Sequence, residues 1–338
     1  MTSRELVFNT LAYKNSGRVP RQLWTLPWAA EHHKEQLEEI QREFPDDIVT
    51  VYAALQTPLV KEKGDPYAVG ESVDMWGCVF DNINPGAVGE VKRPLVTGDE
   101  WEDVANVHIP EELLSFDIEE ANRNVETVRD KFTLAGAAPR PFEQLQFIRG
   151  TENLYVDLMF KPTKMMEFIE KMHDFYCRVM RKWAQVNVDA FFILDDWGSQ
   201  NSLLINPVVW DEIFKPLYRD YINIAKQSGK KIFMHSDGNT LSIIPKLIDL
   251  GLDAINTQIF CIGVENLKQY KGEITFWGEI DRQHLLSYGT QEDVKKAVEL
   301  VKDTLWDNGG CFAQCEFGAG ANPANVRQVF EEWDRLTR

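Results

Sequence analysis

Short apolar runs rich in β-branched and aromatic residues alternate with amphipathic stretches along most of this chain. The runs at 22–26, 48–55, 132–137, 190–194, 231–234, 253–259, 274–277 and 311–315 are too short for helices and read as strands. Between them, apolar positions recur at helical spacing at 4–11, 31–44, 118–129, 142–147, 162–188, 207–228, 240–250, 264–270, 291–308 and 323–336. Eight strands separated by helices in one chain predict a parallel, eight-stranded (β/α)8 TIM barrel rather than a doubly wound sheet. No glycine-rich dinucleotide or phosphate loop follows any strand, which points the same way. Residues from about 60 to 98 break the rhythm with glycines, prolines and two alternating runs. They predict a hairpin or small insertion after strand two, outside the barrel. Residues 1–338 are expected to form a single domain.

Composition narrows the function classes. The chain has 338 residues and a net charge of −17, and no basic block interleaved with aromatics occurs, so a nucleic acid or an anionic membrane surface would be repelled. No apolar run approaches the length of a membrane span, and the start of the chain is polar, so neither a signal peptide nor a membrane is expected. Five cysteines, odd in number and without framework spacing, point to a reducing cytoplasm.

In such a barrel the chemistry sits at the carboxyl ends of the strands. Lys230-Lys-Ile-Phe-Met-His-Ser-Asp-Gly238 ends the fifth strand with His235 and Asp237 on one face, because strand side chains alternate. The plainer reading of the pair is a histidine in a turn and a helix-capping aspartate. Other strand ends are also polar: Asp195 and Asp196 after strand four, Asn256 and Gln258 on strand six, Glu279, Asp281 and Arg282 after strand seven, Gln314, Cys315 and Glu316 on strand eight. Trp24 and Trp28 follow strand one, and Arg140 follows strand three. Crowded carboxylates need a cation or a shared proton. Cys311 and Cys315 lie about 13 Å apart in an extended chain and cannot share one ion, so Cys311 reads as a buried hydrophobe. Cys315 is equally readable as core or as a ligand that meets His235, and imidazole, thiolate and carboxylate together make a zinc set with an open position.

The ordered series Arg18-Val-Pro, Val73-Asp-Met-Trp-Gly-Cys, Gly136-Ala-Ala-Pro-Arg-Pro-Phe142, Leu194-Asp-Asp-Trp-Gly-Ser, Phe233-Met-His-Ser-Asp-Gly, Phe276-Trp-Gly-Glu-Ile-Asp281 and Pro323-Ala-Asn-Val326 resembles the uroporphyrinogen decarboxylase family over most of the chain. That resemblance implies a (β/α)8 barrel. The true decarboxylases carry Arg-Gln-Ala-Gly-Arg-Tyr after the first strand and Gly-His-Gly after the eighth. Here Gln22-Leu-Trp-Thr-Leu-Pro-Trp28 has neither arginine, and no histidine follows His284.

The zinc methyltransferase branch is nearer. It binds its ion through His-x-Cys after strand five and a cysteine after strand eight, so the resemblance implies ligands His235, Asp237 in place of the first cysteine, and Cys315, with Glu316 as the other choice. Counting back from Asn325 selects Cys315, whereas counting forward from Gly310 selects Phe317. The expected activity is zinc-assisted methyl transfer between a small-molecule methyl donor or acceptor and a corrinoid carried by a separate protein. Asp196, Glu279 and Asp281 would orient substrate or move a proton. Trp24, Arg140, Trp197, Gln258 and Trp277 would line the substrate pocket. The alternatives are decarboxylation of a small or tetrapyrrole acid, drawing on Asp195, Asp196 and Arg140, and a non-catalytic binding barrel. A homodimer is left open.

Overall fold

The computed structural model describes residues 1–15 and 17–338. Its strands are β1 (Arg21–Thr25), β2 (Ile48–Val51), β3 (Gly70–Val73), β4 (Val79–Asn82), β5 (Glu90–Arg93), β6 (Phe132–Ala135), β7 (Ala190–Leu194), β8 (Lys231–Ser236), β9 (Ala254–Thr257), β10 (Thr275–Trp277) and β11 (Cys311–Phe317). Eight of them form one parallel sheet in the order β1-β11-β10-β9-β8-β7-β6-β2, which follows the chain around a cylinder with helices outside. This is the expected (β/α)8 barrel. The last gap, between β1 and β2, is closed by side chains and loops instead of a ladder. Asp47 N donates to Arg21 O at 2.8 Å, the Gln22 amide to Ile48 O at 3.0 Å, and Leu23 N to Asp46 Oδ1 at 2.7 Å. Arg18 grips both oxygens of the fully buried Asp47 at 2.6 and 2.7 Å, so the Arg18-Val-Pro segment serves as a clamp on this seam.

Strand parity sorts the side chains into two layers. Ile48, Phe132, Leu134, Ala190, Phe233, Ala254, Trp277 and Phe312 fill the cylinder, with Val7, Phe8 and Leu11 of the helix Ser3–Leu11 packed against its lower end. Their partners of opposite parity, among them Ile193, Met234, Ile255, Ala313 and Cys315, face the surrounding helices. The barrel interior is therefore filled below, and its upper mouth is where such folds place a site.

Three local differences from expectation have clear causes. The helix expected at 31–44 is two, Pro27–His32 and Lys34–Glu43, parted by the extended φ of His33. An unexpected helix, Thr151–Phe160, follows Gly150, whose φ of +79° ends the preceding helix Pro141–Arg149. The insertion holds a three-stranded antiparallel sheet, β3-β4-β5, where a hairpin was expected, because β3 is short and carries too few apolar residues to declare itself. Among the described residues no helix is long and apolar enough to cross a membrane.

Candidate functional site

Leu194 of β7 and His235 of β8 are ladder partners. Two residues further along each chain, on the same inward face, stand Asp196 and Asp237. Parallel register therefore sets the two carboxylates side by side just above an imidazole. His235 Nε2 lies 3.5 Å from Asp196 Oδ1 and 3.6 Å from Asp237 Oδ1, and one atom of each residue falls within 4.8 Å of the others.

Two glycines make that approach possible. Gly198 N donates to Asp237 O at 3.0 Å where the loops after β7 and β8 cross. A Cβ on Gly198 would stand 2.3 Å from Asn239 N, and one on Gly238, whose φ is +74°, would stand 2.2 Å from the backbone of Gly198. Gly198→Ala should drive the loops apart and cost about 2 kcal/mol or more in a urea unfolding experiment, since the obstacle is backbone.

His235 is oriented from behind. Asn256, its neighbour in the β9 register, donates its amide to Gln314 Oε1 at 3.0 Å and to Trp277 O. With its nitrogen engaged twice, Asn256 turns its oxygen to His235 Nδ1 at 2.6 Å. Nδ1 must then carry the hydrogen of the neutral ring, which leaves the Nε2 lone pair pointing toward Asp196 and Asp237. Trp24 supports the ring at 5.1 Å between centroids.

The trio fits a divalent cation. A tetrahedral zinc with bonds of about 2.1 Å sets its ligands about 3.4 Å apart, close to the two separations from Nε2. Asp237 Oδ1 is buried and has no hydrogen-bond partner among the described residues, while Oδ2 is taken by Arg282. Asp196 Oδ1 accepts from Asp237 N at 2.8 Å, which fixes its direction.

Arg282 ties three strand ends together: Asp237 after β8, Glu279 after β10 at 3.4 Å, and Glu316 of β11 at 3.3 Å. Burial pushes the Glu279 carboxyl up to about 8, with Arg282 opposing. Glu316 is raised by burial too, again against Arg282.

Asp196, His235, Asp237, Arg282 and Glu316 line a cleft of about 950 Å³ whose walls include Trp24, Arg140, Glu143, Phe147 and, from the insertion, Asp74, Met75 and Phe80. The insertion thus borders the mouth of the barrel.

Of the expected site residues, Trp24, Arg140, Asp196, His235, Asp237 and Glu316 share this cleft. The expectation for Cys315 is corrected. Inward positions on β11 belong to Phe312, Gln314 and Glu316, so Cys315 faces outward with its register partner Leu23, fully buried among apolar groups. Burial raises its thiol well above the usual range, the opposite of what a metal-bound thiolate needs. Trp197 is also corrected: it stacks on Phe142 at 4.2 Å behind the wall and donates to Tyr218 Oη. Trp277 is a floor, fully buried beneath Trp24 at 5.3 Å. Gln258, Glu279 and Asp281 line a separate side cavity of about 200 Å³, on the other side of Arg282. Asp281 there caps a turn, accepting from Gln283 N and His284 N. Asp195, drawn on by the decarboxylase alternative, is wholly buried and accepts from Phe142 N, Glu143 N and Tyr218 Oη.

Asn256 and Arg282 carry more than the sequence assigned them. Their strand-end positions were visible, but only the register shows that Asn256 lies beside His235. Glu143 was missed altogether, because a lone glutamate in a helix looks like surface.

The family model for uroporphyrinogen decarboxylase (URO-D) matches residues 75–336. Among solved structures, a methyltransferase from Methanosarcina mazei superposes with a TM-score of 0.69 at 12% identity, covering 99% of each chain. At that identity the likeness speaks for the fold. An endo-β-1,4-xylanase of glycoside hydrolase family 10 from Gloeophyllum trabeum reaches a TM-score of 0.41 at 10% identity, over 65% of this chain and 81% of its own, too loose to carry an argument. No curated protein matches the chain in sequence.

Proposed function

From the premise that the chain belongs to the uroporphyrinogen decarboxylase (URO-D) family, we propose that it is a methyltransferase, working on a small substrate with a corrinoid carried by a separate protein. Asp196, His235 and Asp237 would hold a zinc ion. The observation that carries this reading is the trio itself, with the buried oxygen of Asp237 unpartnered and aimed at the gap. Similarity along the full length to a methyltransferase favours the same branch of the family. So does the absence, after β1, of the arginines that a polycarboxylate substrate would require.

Methyl transfer moves a methyl cation equivalent, so the group left behind keeps the bonding pair and needs stabilising as an anion. Zinc, when bound, supplies a Lewis acid that lowers the pKa of such a group. Two carboxylates and an imidazole form a harder ligand set than thiolates, which suits an oxygen-bearing substrate at least as well as a thiol. Asn256 keeps the Nε2 lone pair of His235 turned toward the ion. Arg282 holds Oδ2 of Asp237 and so leaves Oδ1 free for it. Trp24 and Phe147 exclude water from the cleft wall, and Glu316 faces the cleft as a carboxylate already balanced by Arg282. Glu279 keeps a proton at neutral pH but lies behind Arg282, so its effect is on charge balance. The odd number and scattered spacing of the cysteines support a cytoplasmic setting.

Decarboxylation of a small acid was to draw on Asp195, which the wall encloses, and this weakens that alternative. Elemental analysis tests the main reading: about one zinc per chain, removed by chelation together with methyl transfer to added cobalamin and restored with it. A protein free of zinc after growth in zinc-replete medium, or one whose methyl transfer survives chelation, would sink it. Asn256→Leu should lower zinc affinity about 10- to 100-fold with the fold intact, as outer-shell changes do, measured by competition with a chromophoric chelator.

A further inference from the structure

Arg140 is placed with unusual firmness for a residue with so few partners. It lies between Pro139 and Pro141, and Leu194 N donates to Pro139 O at 3.1 Å, so the backbone has little freedom. One face of the guanidinium packs over Phe147, 5.5 Å from the ring centroid. Nη2 pairs with Glu143. The remaining donors of the five-donor fork have no protein partner among the described residues, and Nε is buried. Among the described residues it is the one arginine with a buried nitrogen left unpartnered: Arg149 satisfies Asp157 and Val96 O, Arg18 uses both terminal nitrogens on Asp47, and Arg282 serves three carboxylates. A buried N–H without an acceptor is costly to keep, and the rest of the fork, a third exposed, is open to a ligand. It lines the same cleft as His235 and Asp196.

We infer that the substrate of this cleft carries a carboxylate, and that Arg140 binds it. The assignment rests on reading Asp196, His235 and Asp237 as a cation site, since the carboxylates that would otherwise repel an anion are then engaged by the ion and by Arg282. A planar two-oxygen anion matches a guanidinium fork in shape as well as charge. Because the arginine is held by prolines and Phe147, little ordering is lost on binding. Glu143 shares the guanidinium with any incoming carboxylate and so weakens its hold. Among methylated small molecules this selects acids over neutral or cationic compounds.

Calorimetric titration tests this with benzoate and butyrate against benzamide and butyramide, on zinc-loaded and metal-free protein, with zinc measured in each sample. The acids should bind at least about tenfold more tightly than the amides, the size of a charge-assisted contact. Arg140→Gln should erase that preference, and Arg140→Lys should restore only part of it, because it keeps the charge without the fork. Glu143→Gln should enlarge the preference, and it serves as the readout if Arg140→Gln does not fold. Amides bound as tightly as acids, a preference untouched by Arg140→Gln, or one diminished by Glu143→Gln would each overturn the inference. Zinc bound at about one per chain with no acid preference overturns this inference and leaves the metal reading standing. An acid preference without zinc does the reverse.

Discussion

With His235 replaced by alanine, the protein should emerge from purification with less than about a tenth of its zinc and with methyl transfer lost by at least about a thousandfold. His235 supplies the only nitrogen in the trio, and its Nε2 is the atom that both carboxylate separations are measured from. Disturbing an outer-shell partner alone costs about 10- to 100-fold in metal affinity, so loss of a ligand must exceed that. The paired control is Cys315→Ala. Since Cys315 faces the helices, it should keep its full zinc and lose only about 1–2 kcal/mol of stability, as for other small deletions from a packed core. Sulfur and imidazole would have to converge for the opposite outcome, and strand parity forbids that. Zinc at parental level in His235→Ala, or its disappearance from Cys315→Ala, would remove the foundation of the metal site.

Arg282→Gln should be the most pH-sensitive variant of the set. In the native fold one guanidinium serves Asp237, Glu279 and Glu316, and Glu279 is only 2% exposed. Glu279 titrates at about 8 in the fold, against 4.5 for an ordinary glutamate. A carboxyl raised in this way adds stability below its unfolded value, and that stability is lost as pH rises through the folded value. Removing Arg282 takes away the cation that opposes the shift, so the folded value climbs further and more stability is lost at high pH. At pH 5 Glu279 is protonated in the fold, and the variant should lose only about 1 kcal/mol. At pH 9 an uncompensated buried charge, or the effort of keeping it protonated, should bring the loss to about 3–5 kcal/mol. Urea unfolding at the two pH values reads the difference. A variant equally destabilised at both would mean that Arg282 acts through packing alone.

The barrel could be read from the chain because its strands and helices differ in period and length, and those are local properties. Strand boundaries at 190–194 fell where the structure has them, and the start of β8 did too. The polar strand ends were legible for the same reason. Where prediction failed, the missing information was relational. Cys315 was weighed as a ligand because it is near a strand end; a single residue of parity separates it from Glu316, and only the side of the sheet facing the barrel axis decides between them. Trp197 belongs to a polar-looking motif, yet the turn after β7 carries it behind the wall. Asp196 was expected to act on substrate, whereas the structure sets it in the trio with His235 and Asp237.

By itself the sequence determined the eight-fold alternation, the family resemblance, and the residues from which any site at the barrel mouth must be drawn, since these follow from composition and periodicity along one dimension. Tertiary structure alone decided which of those residues meet. Parallel register set Asp196 beside Asp237, two touching glycines let their loops cross, Asn256 turned the imidazole, and Arg140 was left on the cleft wall with donors unpartnered. Each is a distance between residues far apart in the chain, set by packing over the whole barrel, and a local pattern carries no such distance.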